Sequence, residues 1–212
     1  MKIWEPLTDA IGLYRTESCP IHEDALRLAE FARIRPKDRV LDLGTGNGIL
    51  AIYSEALHGG TYTGIDVEES ALQLARESAM RNGQTISFLP LAVMDAPSFF
   101  GHGAFDAILM NPPYFTEGDP GARALARHAE ASLLSDWCQA AFLLLNNGAA
   151  VTLCYPASQL AALFRALDQN RLAPKRIELL FSKDTARLAL LEARKLGGDG
   201  LTVTKSERKL CL

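Results

Sequence analysis

From residue 39 onward, apolar positions fall into short runs that alternate with longer stretches of helical spacing. "RVLDLG" (39–44), "TYTGID" (61–66), "TISFLPL" (85–91) and "FDAILM" (105–110) are brief, and the first two end in Gly or Asp, which predicts four strands. Between the first three lie "NGILAIYSEALH" (47–58) and "EESALQLARESAMRNG" (68–83). In the second of these, Ala71, Leu72, Leu74, Ala75 and Ala79 gather on one side, and Gly83 suits a helix stop. A long helix, "HAEASLLSDWCQAAFLLL" (128–145), leads to a fifth strand, "GAAVTLCYP" (148–156), and then to the helix "SQLAALFRALDQN" (158–170). The ending changes character. "RIELLFS" (176–182) and "RLALLEARK" (187–195) are joined by a short polar connection and predict an antiparallel hairpin.

Alternating strands and helices imply a doubly wound α/β fold, because parallel strands need crossover helices. The count predicts a seven-stranded, mostly parallel, Rossmann-like sheet closed by the C-terminal hairpin. Residues 1–38 precede it as an extension in which "IHEDALRLAEFARI" (21–34) predicts a helix beside the core. A length of 212 residues fits one domain, 1–212.

Composition narrows the class. Apolar residues make up 48% and charged residues 22%, as in a soluble globular protein. No apolar run approaches the ~18 residues of a membrane span, and the first 18 residues hold no secretory core, so a cytoplasmic location is expected. The protein is taken to be a monomer or weak dimer. Cys19, Cys138, Cys154 and Cys211 are scattered without ligand spacing and read as reduced thiols, and no metal is expected. His22, His58 and His102 have no partner at catalytic or metal spacing. The net charge is −3, but residues 165–212 hold 11 Lys and Arg against 6 Asp and Glu. A local basic face, not the total, governs nucleic-acid affinity, so a nucleic-acid partner stays open, beside the plainer reading of a solvated surface.

"LDLGTGNGIL" places Gly44, Gly46 and Gly48 at the first strand-to-helix turn, where glycine lets the backbone approach a ligand. The dinucleotide spacing G-x-G-x-x-G is not met, because residue 49 is Ile. Asp42 stands inside the motif, where it would repel a pyrophosphate and favour a cation. Asp66 ends the second strand about 20 residues after the loop, the place of an acidic residue that accepts ribose hydroxyls. A cap for the following helix is the structural alternative. Asn111-Pro112-Pro113-Tyr114 follows the fourth strand. The prolines end the strand and hold Asn111 in extended geometry. The Asn111 side-chain oxygen and the Pro112 carbonyl, held by Pro113, can act as two acceptors for an amino group, and a plain turn is the structural alternative. Tyr114 offers an aromatic face on which a planar ring can stack.

D-x-G-x-G-x-G at 42–48 resembles motif I of the class I S-adenosylmethionine-dependent methyltransferases, and the Asn111 tetrapeptide resembles motif IV of those that methylate amino groups. The resemblance implies S-adenosyl-L-methionine as cofactor, Asp42 near its methionine moiety, and Asp95 in "AVMDAP" near its adenine. A simple turn aspartate is the alternative for Asp95. "GLYR", "EDALRLAEFA", "NPPYF" with "GARALARHAEASLLSDWCQAA", and the closing "KDTARLALLEARKLGGDGLTV" are similar to the tRNA1(Val) adenine-N6 methyltransferase group. That implies a tRNA partner, methylation at adenine N6, and Arg123, Arg127 and His128 against phosphates. A solvated helix start is the alternative for these three. Protein glutamine-N5 methylation, ribosomal RNA adenine or guanine N-methylation, and an inactive RNA-binding scaffold of the same fold are the other readings.

Overall fold

The computed structural model describes residues 1–17, 19–112 and 122–206, with only the backbone for 122–131. The predicted strands appear as β3 (Arg39–Leu43), β4 (Thr61–Asp66), β5 (Ser87–Pro90), β6 (Phe105–Met110), β7 (Leu145–Pro156), β8 (Leu172–Ser182) and β9 (Thr185–Lys195). They form one sheet, whose edge beyond β8 carries an eighth short strand, β10 (Thr202–Lys205). Its order is β10-β8-β9-β7-β6-β3-β4-β5. The pairs β3–β4, β4–β5, β3–β6 and β6–β7 are parallel, and β9 is antiparallel to both β7 and β8. The fold is therefore the doubly wound, mostly parallel sheet that the alternation implies, with its antiparallel hairpin at β8–β9.

The central strands are buried on both faces, as parallel strands covered by helices must be. In β6, Ile108 and Met110 join a core with Leu41 and Leu43 of β3, under helices α5 (Ala122–Leu144) and α6 (Leu160–Gln169). Ala107 and Leu109 face the other way. With Val40 they pack under α1 (Glu23–Phe31), α2 (Ile49–His58) and α3 (Glu69–Arg81). The strict alternation fixes the register, since a one-residue slip would exchange the two cores. It also sends the side chain after Met110 towards the α1 face.

Beside β10, which makes the sheet eight-stranded and not seven-stranded, two further elements lie outside the sequence expectation. One is the helix α4 (Ala96–Phe100). The other is a separate hairpin of β1 (Ile3–Pro6) and β2 (Gly12–Arg15), docked on the end of α3. The Asn82 side chain donates to the Gly12 carbonyl (2.8 Å) and accepts from the Gly12 amide (3.2 Å). Tyr14 N donates to Ser78 Oγ (2.9 Å), and the Arg81 guanidinium lies 4.1 Å from the Trp4 ring centre. An isolated two-stranded hairpin is marginal in water, so this one depends on α3 for its stability.

Gly64 lets β4 pass close beneath the first loop. A Cβ there would stand 2.7 Å from Thr45 Oγ1 and 2.8 Å from the Phe88 ring. Gly64→Ala is expected to destabilise the fold by about 1–3 kcal/mol through overpacking. Urea unfolding would show a lower midpoint at unchanged slope.

Candidate active site

Strand order reverses at β3, which has β4 on one side and β6 on the other. Ligands of open α/β sheets sit beside such a reversal, at the carboxyl ends of the strands. Here the three ends are the loop after Leu43, Asp66 at the end of β4, and Asn111 after β6. A cleft of about 510 Å³ opens between them, and Gly44, Asp66 and Asn111 all line it.

The loop turns through three left-handed glycines, with φ of 70° at Gly44, 55° at Gly46 and 81° at Gly48. Side chains rarely adopt these angles. A Cβ on Gly44 would also stand 2.5 Å from the Trp137 ring, so glycine here allows α5 to close over the loop. A Cβ on Gly46 would meet nothing within 4 Å, so the loop is open on that side. Asp66 braces the loop from the next strand. Its Oδ2 accepts from Gly46 N (2.9 Å) and its Oδ1 from Glu68 N (2.9 Å). Each carboxylate oxygen has a second lone pair, so these bonds leave capacity for ligand hydroxyls. The cap of α3 is Glu68, not Asp66: its side chain accepts from Ser70 N.

Asp42 is only 1% exposed and lies beneath the loop, not on the cleft wall. Its Oδ2 accepts from Thr45 Oγ1 (2.6 Å). Burial raises its carboxyl to about 7, and the Thr45 hydroxyl and Ala51 amide offset only part of that rise.

Asn111 occupies the opposite wall. Its Nδ2 donates to Asp24 Oδ2 on α1 (3.3 Å). Its Oδ1 is buried and has no hydrogen-bond partner among the described residues. Pro112 is buried beside it. Asp95 is exposed at the start of α4 and does not line the cleft, although its neighbour Met94 does. Pro113 and Tyr114 lie outside the described residues, as do the side chains of Arg123, Arg127 and His128 on the first turns of α5.

Several lining residues escaped the sequence reading. Val67 and Met94 are apolar yet 74% and 49% exposed, and with Leu91, Ala92 and Val93 they form an apolar wall beside Asp66. Leu133 and Trp137 reach the cleft from α5. The signal for Val67 was its position directly after the end of β4; Met94 and Trp137 had no local signal. The geometry suits a ligand with a flat apolar ring, a pair of hydroxyls and a polar tail near the glycines. Among the described residues no three His, Cys, Asp or Glu side chains converge as metal ligands, and no helix is long and apolar enough to cross a membrane.

Residues 25–136 match the family described as "Methyltransferase small domain". The tRNA1(Val) (adenine(37)-N6)-methyltransferase of Shewanella amazonensis is 30% identical over 187 residues, covering 85% of this chain and 79% of that protein. The enzyme of the same name from Vibrio campbellii is 30% identical over 138 residues, 62% of this chain and 56% of its own. The ribosomal protein L11 methyltransferase of Thermus thermophilus is 39% identical over 117 residues, 49% of this chain and 44% of its own. The chain thus spans about half the length of the last two relatives. The crystal structure of TrmN from Thermus thermophilus superposes with a TM-score of 0.65 at 29% identity, covering 82% of this chain and 48% of that one. With more than half of its length matched and the glycine loop, Asp66 and Asn111 gathered on one cleft, the chain belongs to the methyltransferase small domain family, on the class I S-adenosylmethionine-dependent methyltransferase fold.

Proposed function

We propose that this protein transfers a methyl group from S-adenosyl-L-methionine to an exocyclic amino nitrogen, adenine N6 of a tRNA, leaving S-adenosyl-L-homocysteine and releasing one amino proton to solvent. The carrying observation is the buried Oδ1 of Asn111, which has no hydrogen-bond partner among the described residues and belongs to a side chain on the same cleft as Asp66 and Gly44. A buried carbonyl oxygen without a donor costs roughly 1–3 kcal/mol, and a substrate N–H would recover it. The similarity to tRNA1(Val) adenine-N6 enzymes over most of the chain supports adenine in tRNA as the target.

The residues present fit the cofactor. Gly44 lines the cleft and Gly46 leaves open space beside the loop, Asp66 provides acceptors for ribose hydroxyls, and Val67, Leu91, Val93 and Met94 provide an apolar wall for adenine. When bound, the cofactor supplies an electrophilic methyl group. Asn111 Oδ1 and the Pro112 carbonyl accept the two N–H bonds of the target amine, so its lone pair faces the donor. That nitrogen needs no prior deprotonation, which agrees with a pair of acceptors in place of a strong base. Tyr114 stacks the base, and Arg123, Arg127 and His128 meet the phosphates. We place the enzyme in the cytoplasm, where its tRNA substrate is.

A protein target is the second reading, favoured by the 39% identity to the L11 enzyme over a shorter stretch. Incubation with labelled cofactor and separate pools of tRNA, ribosomal RNA and protein decides between them. Labelled N6-methyladenosine in tRNA is the expected product; label in protein alone would overturn the RNA reading. Asn111→Ala is expected to bind S-adenosylmethionine almost unchanged in calorimetry while losing on the order of 100-fold or more in transfer rate. Asp66→Ala is expected instead to weaken cofactor binding by about tenfold or more, since it loses a charge-assisted acceptor and loosens Gly46.

Asp42 gives a pH signature. Its carboxyl is higher in the fold than in the unfolded chain, so the native state holds the extra proton between about 3.8 and about 7. Stability contributed by that proton is full at low pH and is lost as pH rises through about 7. Asp42→Asn removes this dependence. In cofactor-free protein its stability advantage over wild type should grow by about 2–3 kcal/mol between pH 5 and pH 8, read from urea midpoints.

A further inference from the structure

An asparagine amide is almost symmetric in shape, so a rotation of half a turn exchanges its acceptor oxygen for a donor NH2. The proposed chemistry tolerates only one orientation. With the NH2 towards the cleft, Asn111 would confront the N–H bonds of the target amine with donors of its own. The structure assigns the task of fixing that orientation to Asp24, a positioning residue on α1. This inference rests on the reading of Asn111 as the acceptor for the target amine.

A carboxylate only accepts, so the end of the Asn111 amide that meets Asp24 Oδ2 is the Nδ2 donor, at 3.3 Å. The amide is planar, so Oδ1 is turned away from Asp24. There it is buried and has no partner among the described residues, on a side chain that lines the cleft with Gly44 and Asp66. Asp24 is itself held. It is 9% exposed, and its Oδ1 accepts from Ala25 N at 2.8 Å. It lies in the first turn of α1, where the helix dipole favours an anion. The alternation of β6 directs the side chain after Met110 to the same α1 face. A carboxylate pulling on the NH2 also polarises the amide and makes Oδ1 the stronger acceptor, by ~10–30% on condensed-phase values for coupled hydrogen bonds.

Two readouts test this. The first needs no turnover: the ¹⁵N–¹H spectrum of asparagine-labelled protein, in which the Asn111 side-chain pair is identified by its loss in Asn111→Ala. That pair is expected to shift in Asp24→Ala and to stay near its wild-type position in Asp24→Asn, whose side-chain oxygen still accepts. The second is single-turnover transfer from labelled S-adenosylmethionine to unfractionated tRNA. Asp24→Ala is expected to lose roughly 10- to 100-fold in rate, with cofactor affinity unchanged, and Asp24→Asn to recover most of it. In an Asn111→Ala background, Asp24→Ala should cost nothing further. Asp24→Ser, too short to reach the amide, carries the same expectation if Asp24→Ala does not fold. An Asn111 pair that ignores Asp24→Ala, or an equal rate loss in both backgrounds, would overturn the assignment. Wild-type turnover by Asn111→Ala would overturn the acceptor reading itself, while the spectrum still reports whether Asp24 holds the amide.

Discussion

Strand β3 is flanked by β4 and β6, and the crossovers on its two sides cover opposite faces of the sheet. That reversal is the constraint on which the site depends. Chain segments diverge at the carboxyl ends of the three strands, and a cleft is left where no crossover can fill it. The two halves of the chemistry then occupy its two sides. Cofactor-facing groups come from β3 and β4, and the acceptor comes from β6.

Each half is stiffened by a carboxylate. Asp66 bonds Gly46 from the neighbouring strand, so a loop built of left-handed glycines, which is entropically costly to order, keeps one shape. Asp24 bonds Asn111 from a helix outside the sheet. Asp42 differs from both. It lies under the loop with burial opposing its charge, and its hydroxyl partner Thr45 ties strand to loop. Trp137 closes the arrangement from above, which only a residue without a side chain at position 44 permits.

The sheet was legible in the sequence because strands buried on both faces are short apolar runs, and crossover helices have a period of their own. The register of β6 beside β3 follows from the alternation of its two buried faces. Gly44, Asp66 and Asn111 were legible for a related reason: each stands at a strand end, where polar or glycine residues break the pattern. What stayed hidden is tertiary. The β1–β2 hairpin has no strong turn signal and depends on Asn82 and Arg81 of another element. Trp137 and Met94 reach the cleft through packing, and β10 is a four-residue edge strand that exists by pairing with β8. Asp24 read only as part of a helix, since nothing near it in sequence reveals the amide that it meets.

The bond from Asn111 to Asp24 joins residues 87 positions apart, whereas that from Gly46 to Asp66 spans 20. Loop-closure entropy grows only with the logarithm of length, so the longer closure costs about 1.3 kcal/mol more. The cofactor side of the cleft is therefore assembled by near neighbours, and the acceptor side by a residue that arrives from the far end of the chain. Chain length adds little to the cost of reaching so far for a carboxylate. The acceptor side accordingly inherits its geometry from how firmly α1 is seated, and a loosened N-terminal segment would be felt first in the aim of one amide.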